Sequence, residues 1–216
     1  LSKVANEDIG KTLKYIDKTI KKYGLSKANK EAYVSFRSNF NSQAPEQRNP
    51  LDLYLLICFG FEHQIRFNSS HEFNNPCGNS GYNQEMAEKL IAFNMIAKEK
   101  KIEFRSTSYE TYENIITPED FIYCDPPYLI SCGAYNDGKR GFNGWDNEQE
   151  IELLEFLERL NQKGVRFMLS NMVDRNGMEN HPLNDWIERN DFRVIQNPMI
   201  TKRNRQNRRE IIILNY

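Results

Sequence analysis

The chain has 216 residues, with 29 basic side chains against 30 acidic ones and a formal net charge of −1, so it can bury a full core while any surface for a polyanion has to be local. The longest apolar stretch, Leu53 to Phe61, falls short of the roughly 18 residues that a membrane-spanning helix needs, and no charged-then-apolar leader opens the chain. A soluble, cytoplasmic protein that does not engage a membrane is expected.

The first half reads helical. Ile9, Leu13, Ile16, Ile20 and Tyr23 recur at steps of four and three and predict one helix that stops at Gly24. Asn6, Glu7 and Asp8 fit the cap of that helix, whose lysines, Lys11, Lys14, Lys18, Lys21 and Lys22, read as a solvated face. Ser26 is the expected cap of a second helix carrying Tyr33, Phe36 and Phe40, and Asn49-Pro50 opens a third over Leu51 to Phe59. The stretch from Gly60 to Asn83, dense in Asn, Ser, Gly and aromatics, reads as a hairpin or long loop, after which Asn83 starts a helix through Met86, Leu90, Phe93 and Ile96.

From Lys101 onward strands and helices alternate. Short strands are expected at Ile102 to Arg105, Asp120 to Cys124, Val165 to Ser170 and Phe192 to Ile195, with a terminal strand at Glu210 to Asn215. Between them fall a helix capped by Asp146 with Ile151, Leu154, Leu157 and Leu160, and another around Leu183 to Ile187. That order implies an α/β sheet with helices on its faces. Gly138, Gly141 and Gly144 read as a mobile loop after the second strand. Trp145 and Trp186 read as packing residues. Cys58, Cys77, Cys124 and Cys132 are irregularly spaced, His63, His71 and His181 share no ligand spacing, and no metal is expected. The chain begins at Leu1, as a processed or trimmed product would.

The residues Asp125-Pro126-Pro127-Tyr128 close the run Phe121 to Cys124. Each proline fixes its own φ and extends the residue before it, and neither can donate a backbone hydrogen bond. The exit is therefore stiff and offers acceptors only, a carboxylate and peptide carbonyls, with an aromatic ring beyond. An exocyclic amine on a nucleobase matches that set, since Asp125 and the Pro126 carbonyl can each accept one amine hydrogen while Tyr128 stacks on the ring. Two such acceptors draw the hydrogens out of the ring plane and free the lone pair for attack. With a reference pKa of about 3.9, Asp125 serves to position the amine and stabilise the developing cation, and does not deprotonate it beforehand.

YCDPPY at a strand end resembles the catalytic motif of amino-methyltransferases, and the chain as a whole resembles the Dam-type, D12-class DNA adenine-N6 methyltransferases of bacteria and phages. Arg66-Phe67-Asn68 and Phe73-Asn74-Asn75-Pro76-Cys77-Gly78 are similar to the family's DNA-contacting hairpin. Leu169-Ser170-Asn171 is similar to the strand after the catalytic one, and Arg209 to Tyr216 to the final strand. The resemblance implies a Rossmann-like methyltransferase fold that binds S-adenosylmethionine, with residues 101–216 catalytic and residues 1–100 a helical target-recognition region whose hairpin lies at about 61–80. It also implies double-stranded DNA as substrate, a cognate restriction endonuclease as partner, and cofactor contacts at Ser108, Tyr109 and Asp125. The family's opening Tyr-Gly-Asn-Lys segment, and the Phe- and Gly-rich turn that holds the cofactor's methionine, have no counterpart here, so the fold is expected to be incomplete at its amino terminus.

The target adenine has to be rotated out of the duplex, at a cost of a few kcal/mol that stacking on Tyr128 partly offsets. The resemblance puts Arg66, Asn68, Asn74, Asn75 and Pro76 near the groove edges, where arginine suits guanine and asparagine suits adenine. Lys202, Arg203 and Arg205, in the basic run before the last strand, are the expected phosphate clamp, with Arg208 and Arg209 beside them. Two rivals remain at this point: a truncated, inactive DNA-binding relic of such an enzyme, and an enzyme acting on N4 of cytosine. Oligomeric state and recognition sequence are not legible.

Overall fold

The computed structural model describes residues 1–130, 145–196 and 208–216. They fall into two compact units, Leu1–Ser106 and the part from Thr107 onward.

The first unit is helical: α1 (Ser2–Asn6), α2 (Ile9–Tyr23), α3 (Lys30–Asn41), α4 (Pro50–Phe59) and α5 (Gln84–Glu99). Short-range polar chemistry sets the ends. Asp8 accepts from the Lys11 amide at 2.9 Å, Asn49 caps α4 ahead of Pro50, and Asn83 caps α5. Gly24 closes α2 at φ 66°, a left-handed conformation that costs glycine little. The cap of α3 is Asn29, not Ser26: its side chain accepts from the Ala32 amide at 3.0 Å and donates back to Gly24 O at 3.1 Å, tying two helix ends together. Apart from Asp52 and Tyr54, α4 is apolar, and it supplies Leu51, Leu55, Leu56, Cys58 and Phe59 to the core, against Ile16, Tyr33 and Phe36. Each such fully buried side chain contributes about 1.5–3 kcal/mol.

No strand forms at Ile102–Arg105, which corrects the expectation. Lys101 turns to φ 53° and the Ile102 amide reaches back to Ala97 O at 2.9 Å, so this backbone is spent closing α5. Phe104 then packs on Phe93, with ring centroids 5.9 Å apart.

The second unit is a mixed α/β layer around an open sheet. Its strands are β1 (Phe121–Cys124), β2 (Arg166–Arg175), β3 (Met178–Glu179), β4 (Arg193–Gln196) and β5 (Arg208–Leu214), in the order β1-β2-β5-β4 with β3 hairpinned onto the end of β2. β1 and β2 run parallel, while β5 runs antiparallel between β2 and β4. Two helices, α6 (Asn147–Gln162) and α7 (His181–Arg189), cover Phe167, Leu169, Ile211 and Ile213 with Leu153, Leu157, Leu160, Leu183 and Trp186. β2 is longer than expected and carries a bulge, since Met172 pairs with Glu210 and Asp174 with Arg209, leaving Val173 as the extra residue. The buried stripe of α6 also differs. Ile151 is 45% exposed, whereas Glu150 is fully buried, because three donors meet its carboxylate.

Among the described residues no helix is long and apolar enough to cross a membrane, and no group of three or more His, Cys, Asp or Glu could hold a metal ion.

Candidate active site and nucleic-acid face

β1 starts from a turn that Asp120 organises, its carboxylate accepting from the Thr117 amide at 2.8 Å and from the Thr117 hydroxyl at 3.0 Å. These donors hold the Asp120 carboxyl below the usual carboxylate range, the backbone bond first. Along β1, Ile122 and Cys124 turn into the core while Phe121 and Tyr123 are exposed. Burial pushes the Cys124 thiol up to about 11, so it is an inert packing group.

The parallel register pairs Cys124 with Leu169, so Asp125, just past the carboxyl end of β1, comes beside Ser170 midway along β2. On open α/β sheets ligands collect at such ends. Asp125 is exposed. The Tyr128 hydroxyl lies 2.8 Å from the Ser170 hydroxyl and 3.3 Å from Asp125 Oδ1, so the ring is pinned through its polar tip to the neighbouring strand. Tyr128 is raised above the usual phenol value, by burial first and then by the Asp125 and Glu210 charges, with the Ser170 bond opposing. The hydroxyl stays protonated and can donate.

Behind Ser170 lies a buried polar lock. Glu150 Oε1 accepts from Asn171 Nδ2 at 2.8 Å and from Asn180 Nδ2 at 2.9 Å, and the Trp145 indole donates to Oε2 at 2.5 Å. Asn180 also caps α7 through the Leu183 amide. One carboxylate thus joins α6, β2 and α7, and a buried charge is tolerated only with such donors around it. Neither Ser170 nor Glu150 stands out by composition. A glutamate four residues after a capping aspartate is the only local hint.

Ser108 and Tyr109 sit at a short 3-10 turn, Tyr109–Tyr112. The Ser108 hydroxyl donates to the Glu110 carboxylate, and the Tyr109 ring packs edge-on against Phe156 at 5.0 Å, half-buried. Tyr109 is raised well above the usual phenol value, chiefly by burial. Glu110 is an acid that the sequence reading passed over at this place.

In the helical unit the chain leaves α4 at Gly60 and returns at Gly78, with bridges pairing Gly60 with Cys77 and Phe67 with Phe73. The two strands approach so closely that a Cβ on Gly78 would lie 2.6 Å from Gly60 O. Arg66 is exposed, and among the described residues its guanidinium has no hydrogen-bond or ion-pair partner, while its carbonyl accepts from the Asn74 amide at 3.0 Å. Asn68 organises the tip: its oxygen accepts from the Ser70 and Glu72 amides and its nitrogen donates to the Glu72 carboxylate at 2.9 Å. Asn74 is half-buried beside Arg37, Asn41 and Glu72 in a recess of about 420 Å³. Pro76 is exposed, and its carbonyl accepts from Phe61 N at 2.8 Å.

Asn75 departs from the expected groove-edge position. It is 1% exposed and its amide donates to Phe61 O at 3.0 Å and Gln64 O at 3.1 Å, while its own carbonyl receives Tyr33 and Arg37. A side chain spent on two backbone acceptors inside the loop has no donor left for a base. Arg48, unremarked in the sequence, completes the brace by donating to His71 O at 2.7 Å, Asn41 O and Gln43 O.

Lys202, Arg203 and Arg205 lie outside the described residues, as do Cys132, Gly138, Gly141 and Gly144. Arg208 and Arg209 begin β5, where they pair with Glu210 and Asp174.

Comparison with known proteins adds a decisive observation: the family model for the D12 class N6 adenine-specific DNA methyltransferase matches residues 2–200. The chain belongs to that family. Among the relatives of this D12-class chain, the Type II methyltransferase M.FokI of Planomicrobium okeanokoites is 37% identical over 222 residues, covering 100% of this chain and 34% of the relative. The modification methylase StsI of Streptococcus sanguinis is 42% identical over 179 residues, covering 82% of this chain and 27% of the relative. The DNA adenine methylase of Escherichia coli strain K12 is 30% identical over 142 residues, 65% of this chain and 50% of that enzyme. The matched part of the D12-class chain thus spans about a third of the first, about a quarter of the second and half of the third.

Proposed function

We propose that this chain carries the catalytic loop and target-recognition part of a site-specific DNA adenine-N6 methyltransferase, which transfers a methyl group from S-adenosylmethionine to an adenine flipped out of duplex DNA. Its single strongest support is the juxtaposition at the end of β1, an exposed Asp125 carboxylate beside a tyrosine ring pinned by Ser170, in a chain of D12-class membership. The pattern of parallel β1, β2 and β4 with β5 reversed between them is compatible with a Rossmann-like methyltransferase sheet.

In this reading Tyr128 gives the extruded purine a platform, worth about 1–3 kcal/mol per stacked base. Asp125 and the Pro126 carbonyl accept the two hydrogens of the exocyclic amine, and Pro127 stiffens the exit so that the acceptors keep their aim. Nitrogen forms a bond to the methyl carbon as the sulfur–carbon bond of the donor breaks. The ammonium charge that develops is stabilised by Asp125 until a proton leaves to solvent.

The donor set fits part of the cofactor. Ser108 and Glu110 would offer a hydroxyl and a carboxylate to an adenine amine, Tyr109 would offer a ring edge, and Asp125 would lie toward the reacting end. The turn that would hold the methionine moiety has no counterpart among these residues. When bound, S-adenosylmethionine supplies an electrophilic methyl group. Arg66, Asn68, Asn74 and Pro76 present the hairpin to the groove, with Asn75 bracing it from inside, and Lys202, Arg203 and Arg205 remain the proposed phosphate clamp. The names of the modification methylases favour a restriction endonuclease as functional partner, and a reducing cytoplasm suits the free thiols of Cys58, Cys77 and Cys124.

The test is transfer of labelled methyl from S-adenosylmethionine to adenine-containing duplexes, with nucleoside analysis of the product. Label in N6-methyl-2′-deoxyadenosine that vanishes in Asp125→Ala is the expected outcome, and undiminished transfer in that variant overturns the role given to Asp125. Binding of duplex without any binding of S-adenosylmethionine would turn the reading to a DNA-recognition fragment.

A further inference from the structure

Helix α2 carries Lys11, Lys14, Lys18, Lys21 and Lys22 on the face opposite its buried stripe, all exposed. The only acid within the helix is Asp17, so this segment has a formal charge of +4 in a chain whose total is −1. Several cations elsewhere are engaged, although Arg66, Lys27, Lys30, Lys101 and Arg193 have no ion pair among the described residues. Lys89 meets Glu85 at 2.6 Å on α5, Arg159 meets Glu113 at 2.9 Å, and Lys98 donates to Glu7 O at 3.0 Å. Among the described residues none of the five α2 lysines enters an ion pair or a side-chain hydrogen bond; Lys22 lies over the Tyr23 ring at 4.9 Å.

Lys21 and Lys22 suit the dipole of the last turn, but the rest of the pattern works against the helix. Lys11 stands in the first turn, where the dipole disfavours a cation, and Lys14, Lys18 and Lys22 repel one another at spacings of four. A face kept for solubility alone is better served by mixed signs, as on α5. A strongly cationic face, with Asp17 as its one acid and no ion pair to its lysines, is the electrostatic footprint of a polyanion site. From Lys11 to Lys22 the helix runs about 16 Å, a length over which a duplex presents roughly ten phosphates. Beside Lys18 and Lys22 a recess of about 430 Å³ adds neutral donors. There Asn39 accepts the Tyr23 hydroxyl at 2.9 Å on its oxygen, leaving its amide nitrogen without a partner among the described residues. Asp52 also lines this recess, buried and bound by the Tyr15 hydroxyl at 2.8 Å, so an anion is disfavoured at the floor and favoured at the lysine rim.

We propose that the lysine face of α2 is a second DNA contact, gripping backbone phosphates without reading bases. It rests on the reading of the chain as a DNA enzyme and adds to it a second contact surface on α2, beyond the hairpin.

The full chain is titrated against a labelled duplex by fluorescence anisotropy at several salt concentrations, beside the variant K14Q/K18Q/K21Q. Removing the grip on one phosphate lowers the slope of log affinity against log salt by about 0.9, so raising salt threefold should cost the triple variant about 20-fold less affinity than the parent. The weakening should be equal on unrelated duplexes, a triple lysine-to-arginine variant should keep the parental slope, and circular dichroism should show intact helix. An unchanged slope in the glutamine variant overturns the inference and leaves the DNA reading standing. An equal drop in slope in Lys89→Gln would make the effect one of bulk charge and also overturn it. If the parent binds no duplex, both fall together.

Discussion

Replacing Asn75 by alanine distinguishes a residue that braces the hairpin from one that reads a base. In the structure its amide nitrogen serves Phe61 O at 3.0 Å and Gln64 O at 3.1 Å. A buried acceptor stripped of its donor costs about 1–3 kcal/mol, yet Phe61 and Gln64 are themselves exposed, so water recovers part of each loss. The Asn75 side-chain oxygen is buried without a partner among the described residues, and deleting it relieves a further penalty. The net cost is about 2 kcal/mol, or roughly 30-fold in the equilibrium for opening the loop. Native-state hydrogen exchange reads this directly. The amides of Phe61 and Asn74, bonded to Pro76 O at 2.8 Å and Arg66 O at 3.0 Å, should exchange about 30-fold faster, with strand amides of β2 unaffected. Asn75→Asp, which turns a carboxylate oxygen toward the same two carbonyls, should cost more. Parental exchange rates together with a diminished preference among duplex sequences would refute the bracing role and restore base reading.

Three further outcomes follow from particular contacts. Ser170→Ala removes the 2.8 Å tether of Tyr128, worth about 0.5–1.5 kcal/mol, and should slow single-turnover methyl transfer about 2- to 12-fold with duplex affinity unchanged; Tyr128→Phe should show a similar loss, and the two should not add. Gly78→Ala sets a Cβ 2.6 Å from Gly60 O and 3.0 Å from Phe61 Cα, and should destabilise the helical unit by about 1–3 kcal/mol, read as a lowered urea midpoint. The Asp120 carboxyl is held low in the folded state, so its contribution is present above the ordinary carboxylate pKa and is lost as pH falls through the lowered value; the stability gap between the parent and Asp120→Ala should therefore narrow as pH falls through that window.

The elements most legible in the sequence were those whose ends are made locally. Gly24 stops α2, Asn49-Pro50 opens α4, and Asp146 with Gln149 forms a capping box that starts α6, each through groups within three residues of one another. Where two local solutions competed the reading slipped. Ser26 and Asn29 both suit a cap, and Asn29 wins because its amide nitrogen can also reach Gly24 O. Ile102 to Arg105 has the composition of a strand, but a strand requires a partner, and this backbone instead closes α5. The full extent of β2 and its bulge depend on β5, nearly forty residues later in the chain, and no pattern inside β2 announces them.

By itself the sequence determined the helices of the first unit, the alternation that builds the second, and the chemical character of the loop from Asp125 to Tyr128, because φ restriction, capping and acceptor-only chemistry belong to neighbouring residues. Tertiary structure alone decided what each polar side chain does. It brings Ser170 to Tyr128 across 42 positions, turns Asn75 inward although Arg66 in the same loop stays free, and buries Glu150 where an apolar stripe was expected. A polar group takes whichever partner satisfies it once water is excluded, and that partner comes from another segment of the chain, which no local pattern encodes.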